Sequence, residues 1–279
     1  MKTRKRLGSA LTFFLLALIL LFLLFPLYWM LLTSFKTNME AYKFPPSFVP
    51  LAPTAESYVK LFTENNQFFV YYRNNFMVSG LTAVVTTFCA ICAGYGLSRF
   101  RFRINGWILA LLMASQMFPV ISRMISLYSL MGKMKLINTV PGLVLALTAA
   151  MIPFTVSLMT SFFKGVPRAV EEAALVDGAG RMAILFRIVL PLVTGGIVAV
   201  GIYTFLMTWD DYLHALTLIQ SDNLRTLSVG ISMRYLGELS YDWSLINTIS
   251  VVGALPMIFV FFFFQRYMVK GLVAGAVKG

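Results

Sequence analysis

Few residues in this chain of 279 are of a type that could do chemistry, and most of those stand alone. Cys89 and Cys92, the only 2 cysteines, form a C-x-x-C, a spacing that serves redox or metal chemistry where partners are at hand. Here the pair lies in an apolar segment with no histidine or further cysteine near it, so both read as small helix-packing residues. The single histidine, His214, follows an apolar segment and reads as an ordinary loop or interface residue rather than a proton relay. No G-x-x-x-x-G-K-[ST] occurs, so the chain has no phosphate-cradling loop of its own. No catalytic residue and no metal site is expected. The stretch from Val170 to Leu192, VEEAALVDGAGRMAILFRIVLPL, is different: it is interrupted by polar residues, rich in helix formers and set between strongly apolar segments. Pro167 can open a helix where its missing N–H costs nothing. Glu171 and Glu172 then suit the positive end of the helix dipole. Asp177-Gly178 and Gly180 supply a stop, because glycine tolerates the left-handed conformation of a helix cap. A second helical run, Met182 to Leu190, leads through Pro191 into the next apolar segment. The chemistry this pattern suits is recognition: a short helix offered to a soluble partner.

The elements that must hold this helix are read from composition. The chain is 59% hydrophobic and 12% charged, with a mean hydropathy of +0.80, whereas a soluble domain is about 45–50% apolar and about 25% charged. It belongs in a lipid bilayer. The excess of 23 Lys and Arg over 11 Asp and Glu is read as membrane orientation and not as nucleic-acid binding.

Apolar runs place six spans, at about 11–32, 74–97, 107–126, 140–163, 188–209 and 245–269, in a single all-α membrane domain. KTRKR at 2–6 precedes the first, whose run of about 20 residues lacks a small-x-small cleavage site and so reads as retained. Pro26 is expected to kink it, and Pro141 with Pro153 to break the fourth. The segment from Thr33 to Arg73, with four prolines, reads as extracytoplasmic, with a short amphipathic helix near Ser57 to Phe62. Gln116, Pro119 and Arg123 lie in or at the end of the third span, where polar groups are costly and face a bundle interior or a cavity. Asp210 to Trp243 reads as a mixed outer loop. Six spans put both termini on one side. That side carries Lys2, Arg4, Lys5, Arg6, Arg99, Arg101, Arg103, Lys164, Arg168, Arg181, Arg187, Arg266, Lys270 and Lys278 against three acids, Glu171, Glu172 and Asp177. The positive-inside rule therefore makes it cytoplasmic, together with loop 164–191 and tail 270–279.

Glu172, Ala173, Ala174, Gly178, Ile188, Leu190 and Pro191 fit E-A-A, three residues, G, nine residues, I-x-L-P. This resembles the EAA loop of the membrane subunits of bacterial ABC importers. The tail from Gly271 to Gly279 looks like the G-L-x-x-G-A-V-K-G ending of carbohydrate-uptake permeases of the maltose-transporter type. Arg73-Asn74-Asn75 resembles the N-S that opens their second span, with Asn75 in place of Ser. Trp209-Asp210-Asp211-Tyr212 resembles their W-N-D-[FY], with Asp210 in place of Asn, and Gln265-Arg266 also fits.

The resemblance implies the type I importer permease fold: six transmembrane helices with a cytoplasmic coupling helix, in a bacterial inner membrane. It implies an assembly with a second, homologous permease subunit, an ATPase dimer that carries the ATP and Mg, and an extracytoplasmic sugar-binding protein. The chain itself would hold no cofactor. Glu171, Glu172, Ala173, Ala174, Asp177 and Gly178 would form the ATPase-coupling helix, with Lys278 of the tail reaching toward the ATPase pair. Gln116, Met117, Phe118, Trp209 and Asp210 are candidates for the sugar path. Rival readings are an ABC permease for another solute, such as glycerol phosphate, a polyamine or an amino acid, and an ion-coupled secondary transporter. The full EAA pattern and the lack of an internal repeat speak against the last.

Overall fold

Apolar helices dominate the described residues, and two of the prolines, Pro119 and Pro191, lie where helices bend. The computed structural model describes residues 2–64, 66–100, 103–236 and 241–276, with side chains from 11 to 265 within those bounds. Lys278 lies outside the described residues. In chain order the helices are α1 (Lys2–Ser34), α2 (Asn38–Ala41), α3 (Glu56–Thr63), α4 (Asn66–Arg99), α5 (Asn105–Ser115), α6 (Val120–Lys133), α7 (Val140–Lys164), α8 (Arg168–Val176), α9 (Arg181–Ile184), α10 (Leu190–Leu192), α11 (Thr194–Trp209), α12 (Leu213–Leu218), α13 (Leu227–Tyr235) and α14 (Trp243–Ala276). A π-helical turn, Leu185–Val189, joins α9 to α10. No strand occurs among the described residues.

Among the described residues four helices are long and apolar enough to cross a bilayer: α1 from Leu11, α4, α7, and α14 as far as Gln265. Two bent pairs bring the number to six if each counts as one span. The third expected span is one of these: α5 and α6 meet at 101°. Pro119, which caps α6 at φ −53 and ψ 135, has no N–H to give, and the residue before a proline is pushed out of helical conformation. The fifth is the other: Arg181–Leu192 meets α11 at 76°. Pro191 withholds an N–H there, the chain has already widened into the π turn, and the Thr194 hydroxyl donates back to the carbonyls of Leu190 and Pro191 at 3.2 and 2.8 Å. The fourth span, in contrast, is not broken. Pro141 falls in the first turn of α7, where an N–H is not needed, and the Thr139 hydroxyl accepts from Gly142 N at 3.1 Å. Burial on neighbouring helices carries α7 through Pro153. Helix α1 likewise runs on through Pro26, and α14 continues as helix from the span into residues 270–276, expected as tail.

The chain divides into two compact units, Met1–Phe69 with Ile231–Leu255 and Val70–Gly230 with Pro256–Gly279. In the first, buried Lys36 donates to the Ser47 carbonyl at 2.6 Å and lies 4.7 Å from the Trp29 ring. The Glu40 carboxylate accepts from the Ser47 hydroxyl at 2.6 Å and from Leu51 N at 2.8 Å. These bonds, the Ser47 hydroxyl first, hold its carboxyl below the usual carboxylate range.

The second unit is built around α7. One core joins Ala90, Met159, Phe163, Ala174, Ile184 and Val200. Gly94 allows the close approach of α4 there, since a Cβ would come within 2.8 Å of Met159 Cβ and 3.0 Å of Thr160 N. A second core joins Val78, Leu143, Leu147, Leu218 and Val229. The expected outer loop after Asp210 is therefore largely folded: α12, a 3-10 turn at Asp222–Leu224 and α13 supply the apolar residues of this core.

Candidate functional site

Helix α8 starts one residue after the sequence pattern places it, because Pro167 adopts an extended ψ of 134 and serves as the cap. Glu171 occupies the first turn. The helix ends in a Schellman arrangement: Ala179 N–H donates to Ala174 O and Gly178 N–H to Leu175 O, both at 3.0 Å, with Gly178 at φ +83. The stop thus belongs to Gly178. Gly180 opens α9 instead, in an extended conformation. The apolar contact that goes with such a cap is made by Ala174, 7% exposed, and Ala179, both packed into the first core. The opposite edge is open: Glu172, Ala173, Asp177 and Gly178 are exposed, and Val176 is exposed to 88%.

The two glutamates of the pattern are not alike. Glu172 points outward. Glu171 forms an ion pair with Arg99, the last residue of α4, and the two side chains are only 12% and 9% exposed. Its other oxygen accepts from the Tyr95 hydroxyl at 3.0 Å. Arg99 also donates to the Val166 carbonyl at 3.1 Å. Arg168, the first residue of α8, answers in reverse, donating to the Ser98 and Arg99 carbonyls at 3.2 and 3.3 Å. Arg168 thus caps the C-terminal end of α4, where carbonyls are left without helical partners, and Arg99 ties α4 to the Val166 carbonyl just before α8. Beside this clamp lies a cleft of ≈ 210 Å³, reached by Glu172, Phe100 and Arg181, with the Arg181 guanidinium 5.4 Å from the Phe100 ring. Sequence reasoning missed Tyr95, Arg99 and Arg168 as site residues. Arg99 and Arg168 were read only as charges on one side, and no linear spacing links residue 99 to residue 171.

The remaining candidates occupy separate places. Gln116, Met117 and Phe118 sit at the bend between α5 and α6, all exposed, with Gln116 donating to the Ala150 carbonyl at 3.3 Å. Trp209 is 4% exposed and packs edge-on against Tyr72 and Phe76, with ring centroids at 5.7 and 4.8 Å. Asp210 caps α11 and is exposed. His214 is a helical residue of α12, paired with Asp211 at 2.7 Å, while the other Asp211 oxygen accepts from Ala215 N. Asn74 and Asn75 lie inside α4, which begins at Asn66, and both are buried. Asn74 donates to the carbonyls of Asn223 and Arg225 at 2.7 and 3.0 Å. Asn75 donates to Trp209 O at 3.1 Å and accepts from Leu227 N at 3.3 Å. Cys89 and Cys92 are free, one half-buried and one exposed.

Apolar crossings joined by a capped polar helix define a multi-pass membrane protein of the permease type. Residues 69–273 match the family described as the binding-protein-dependent transport system inner membrane component, and the chain belongs to that family. It is 35% identical over 272 residues to the sulfoquinovosyl glycerol transport system permease protein of Agrobacterium fabrum, covering 98% of this chain and 95% of that one. It is 29% identical to the trehalose/maltose transport system permease protein of Thermococcus litoralis, covering 92% of each. The fold agrees with the crystal structure of a bacterial ABC transporter involved in the import of the acidic polysaccharide alginate, with a TM-score of 0.83 at 20% identity over 95% of this chain and 97% of that one. The expected importer-permease fold is the one found.

Proposed function

We propose that this chain is the membrane-spanning subunit of an ATP-driven importer for a sugar or oligosaccharide, delivered by an extracytoplasmic binding protein. A second permease subunit shares the path, and an ATPase pair carrying ATP and Mg docks on α8 from the cytoplasm, where both termini lie. The observation that carries this reading is α8 itself: a short helix pinned to the body by Ala174 and Glu171, with Glu172, Ala173, Val176 and Asp177 left open along one edge. Small Ala173 permits close approach and Glu172 supplies an anion for a cation of the partner. A sugar cargo is supported by the named solutes of two relatives and by the G-L-x-x-G-A-V-K-G tail. ATP binding displaces the equilibrium between inward- and outward-open states only through contacts that differ between them, and α8 is where those contacts are made.

The test is ATP hydrolysis by the reconstituted complex, screened across sugars with the binding protein present. Stimulation by one sugar, lost on Glu172→Ala, is the expected result. A chain that purifies without any ATPase and moves solute down an ion gradient overturns the reading.

A further inference from the structure

The clamp between α8 and α4 has a counterpart at the other end of α4. Arg99 and Tyr95 bind Glu171, and Arg168 binds the last carbonyls of α4. Twenty-odd residues earlier, about 36 Å along the helix axis, Asn74 and Asn75 hold residues 223–227 by their backbone, and Tyr71 donates to Asp222 at 2.6 Å. Between the two clasps α4 packs closely on α7 at Gly94, where an added Cβ would come within 2.8 Å of Met159 Cβ. All of these residues belong to the second unit.

We propose that Arg99 and Glu171 are positioning residues that lock α8 to α4, so that a displacement of α8 is carried by α4 to the segment 222–227. This rests on the reading of α8 as the ATPase-facing helix, and it assigns Glu171 an inward role distinct from that of Glu172. Arg99 donates at two points, to a carboxylate and to a carbonyl, which fixes direction as well as distance. Lysine offers a point charge in place of that fork.

The first test needs no cargo. Spin labels on Val176→Cys and Asn223→Cys, in a Cys89→Ser, Cys92→Ser background, are expected to report one narrow distance distribution in the full chain. Arg99→Ala is expected to broaden it at least two-fold, and an unchanged distribution overturns the clamp whether or not the chain carries sugar. The second test uses the assembled transporter in lipid. Arg99→Ala and Glu171→Ala are each expected to lower sugar-stimulated hydrolysis and uptake at least ten-fold while the ATPase pair still co-purifies. The exchanged pair, Arg99→Glu with Glu171→Arg, is expected to recover more than either reversal alone. Arg99→Lys keeps the ion pair without the fork, and is expected to insert normally and lose at least three-fold in uptake per ATP; full coupling in that variant overturns the proposal. So does loss of the ATPase by Glu171→Ala where Arg99→Ala retains it, since Glu171 would then be a docking residue. A complex that no sugar stimulates, with the clamp intact by spin-label distance, tells against the functional reading and not against the clamp.

Discussion

Gly178 and Glu171 show how much one residue's surroundings decide. Gly178 sits at φ +83 with open space where a Cβ would stand. Alanine there meets no atom, and costs only the left-handed backbone, about 1–2 kcal/mol. Proline cannot reach that φ and also removes the N–H that closes onto Leu175 O. Gly178→Ala is therefore expected to keep most sugar-stimulated hydrolysis, and Gly178→Pro to insert normally and lose it, as vesicle ATPase assays will read. Removing Arg99 leaves a mostly buried carboxylate unpaired, which costs about 3–5 kcal/mol in comparable buried pairs. The Glu40 carboxylate supplies a pH-dependent counterpart in the other unit. Its carboxyl is held below the unfolded value by the Ser47 hydroxyl and the Leu51 amide. The stability it contributes is complete above the unfolded carboxylate pKa, about 4.3, and is lost as pH falls through the lowered folded value. The protection of residues 37–52 against hydrogen exchange, taken relative to the intrinsic rate at each pH, is expected to fall on acidification below that range, and Glu40→Gln to remove this pH dependence and leave protection low throughout.

Among the elements, the sequence was most legible where a single local rule decides. The α8 pattern was readable to within a residue because its proline start, the first-turn Glu171 and its glycine stop are each local, and α3 was readable as a short amphipathic run. The bends were not. A proline at 119 and one at 153 look alike in the chain, yet the first sits at a break between two helices and the second inside one, because α7 is packed on several neighbours and the turn at 116–118 is exposed. The folded segment after Asp210 was illegible for a related reason. Its residues gain order from Asn74, Asn75 and Asn138, and the last of these accepts from Gln220 N and Ser221 N at 3.0 and 2.9 Å. No spacing rule joins residues so far apart. The α4–α7 contact gives this scale its own prediction. Gly94→Ala forces a Cβ against Met159 and the Thr160 backbone, and overpacking of that kind costs about 1–3 kcal/mol. The melting temperature of the detergent-solubilised chain is expected to fall. Gly96→Ala, where a Cβ meets nothing within 4 Å, is the control expected not to lower it.

At the scale of the molecule, the charge distribution and α8 must agree for the functional reading to hold. Fourteen of the 23 basic residues fall on the side assigned to the cytoplasm, against three of the 11 acids. Lys and Arg in short loops set orientation, and an ATPase is reachable only from that side. The same reading expects the segment around Met39 on the opposite side, the one from which a binding protein would deliver its cargo. Single cysteines at Val176 and Met39, both 88% exposed, report the two faces directly. In sealed, right-side-out vesicles of the Cys89→Ser, Cys92→Ser chain, an impermeant maleimide is expected to label Met39→Cys at once and Val176→Cys only after the membrane is opened. Labelling of Val176→Cys in intact vesicles would put α8 out of reach of any ATPase, and the coupling role of Glu172, Gly178 and the α4 clamp would fall with it. With the expected sidedness, adding the ATPase pair to opened vesicles should slow labelling at Val176 and leave Met39 unaffected. That protection, at an edge lined by Glu172 and Asp177 and pinned from behind by Glu171, would locate the docking surface without reference to which sugar is carried.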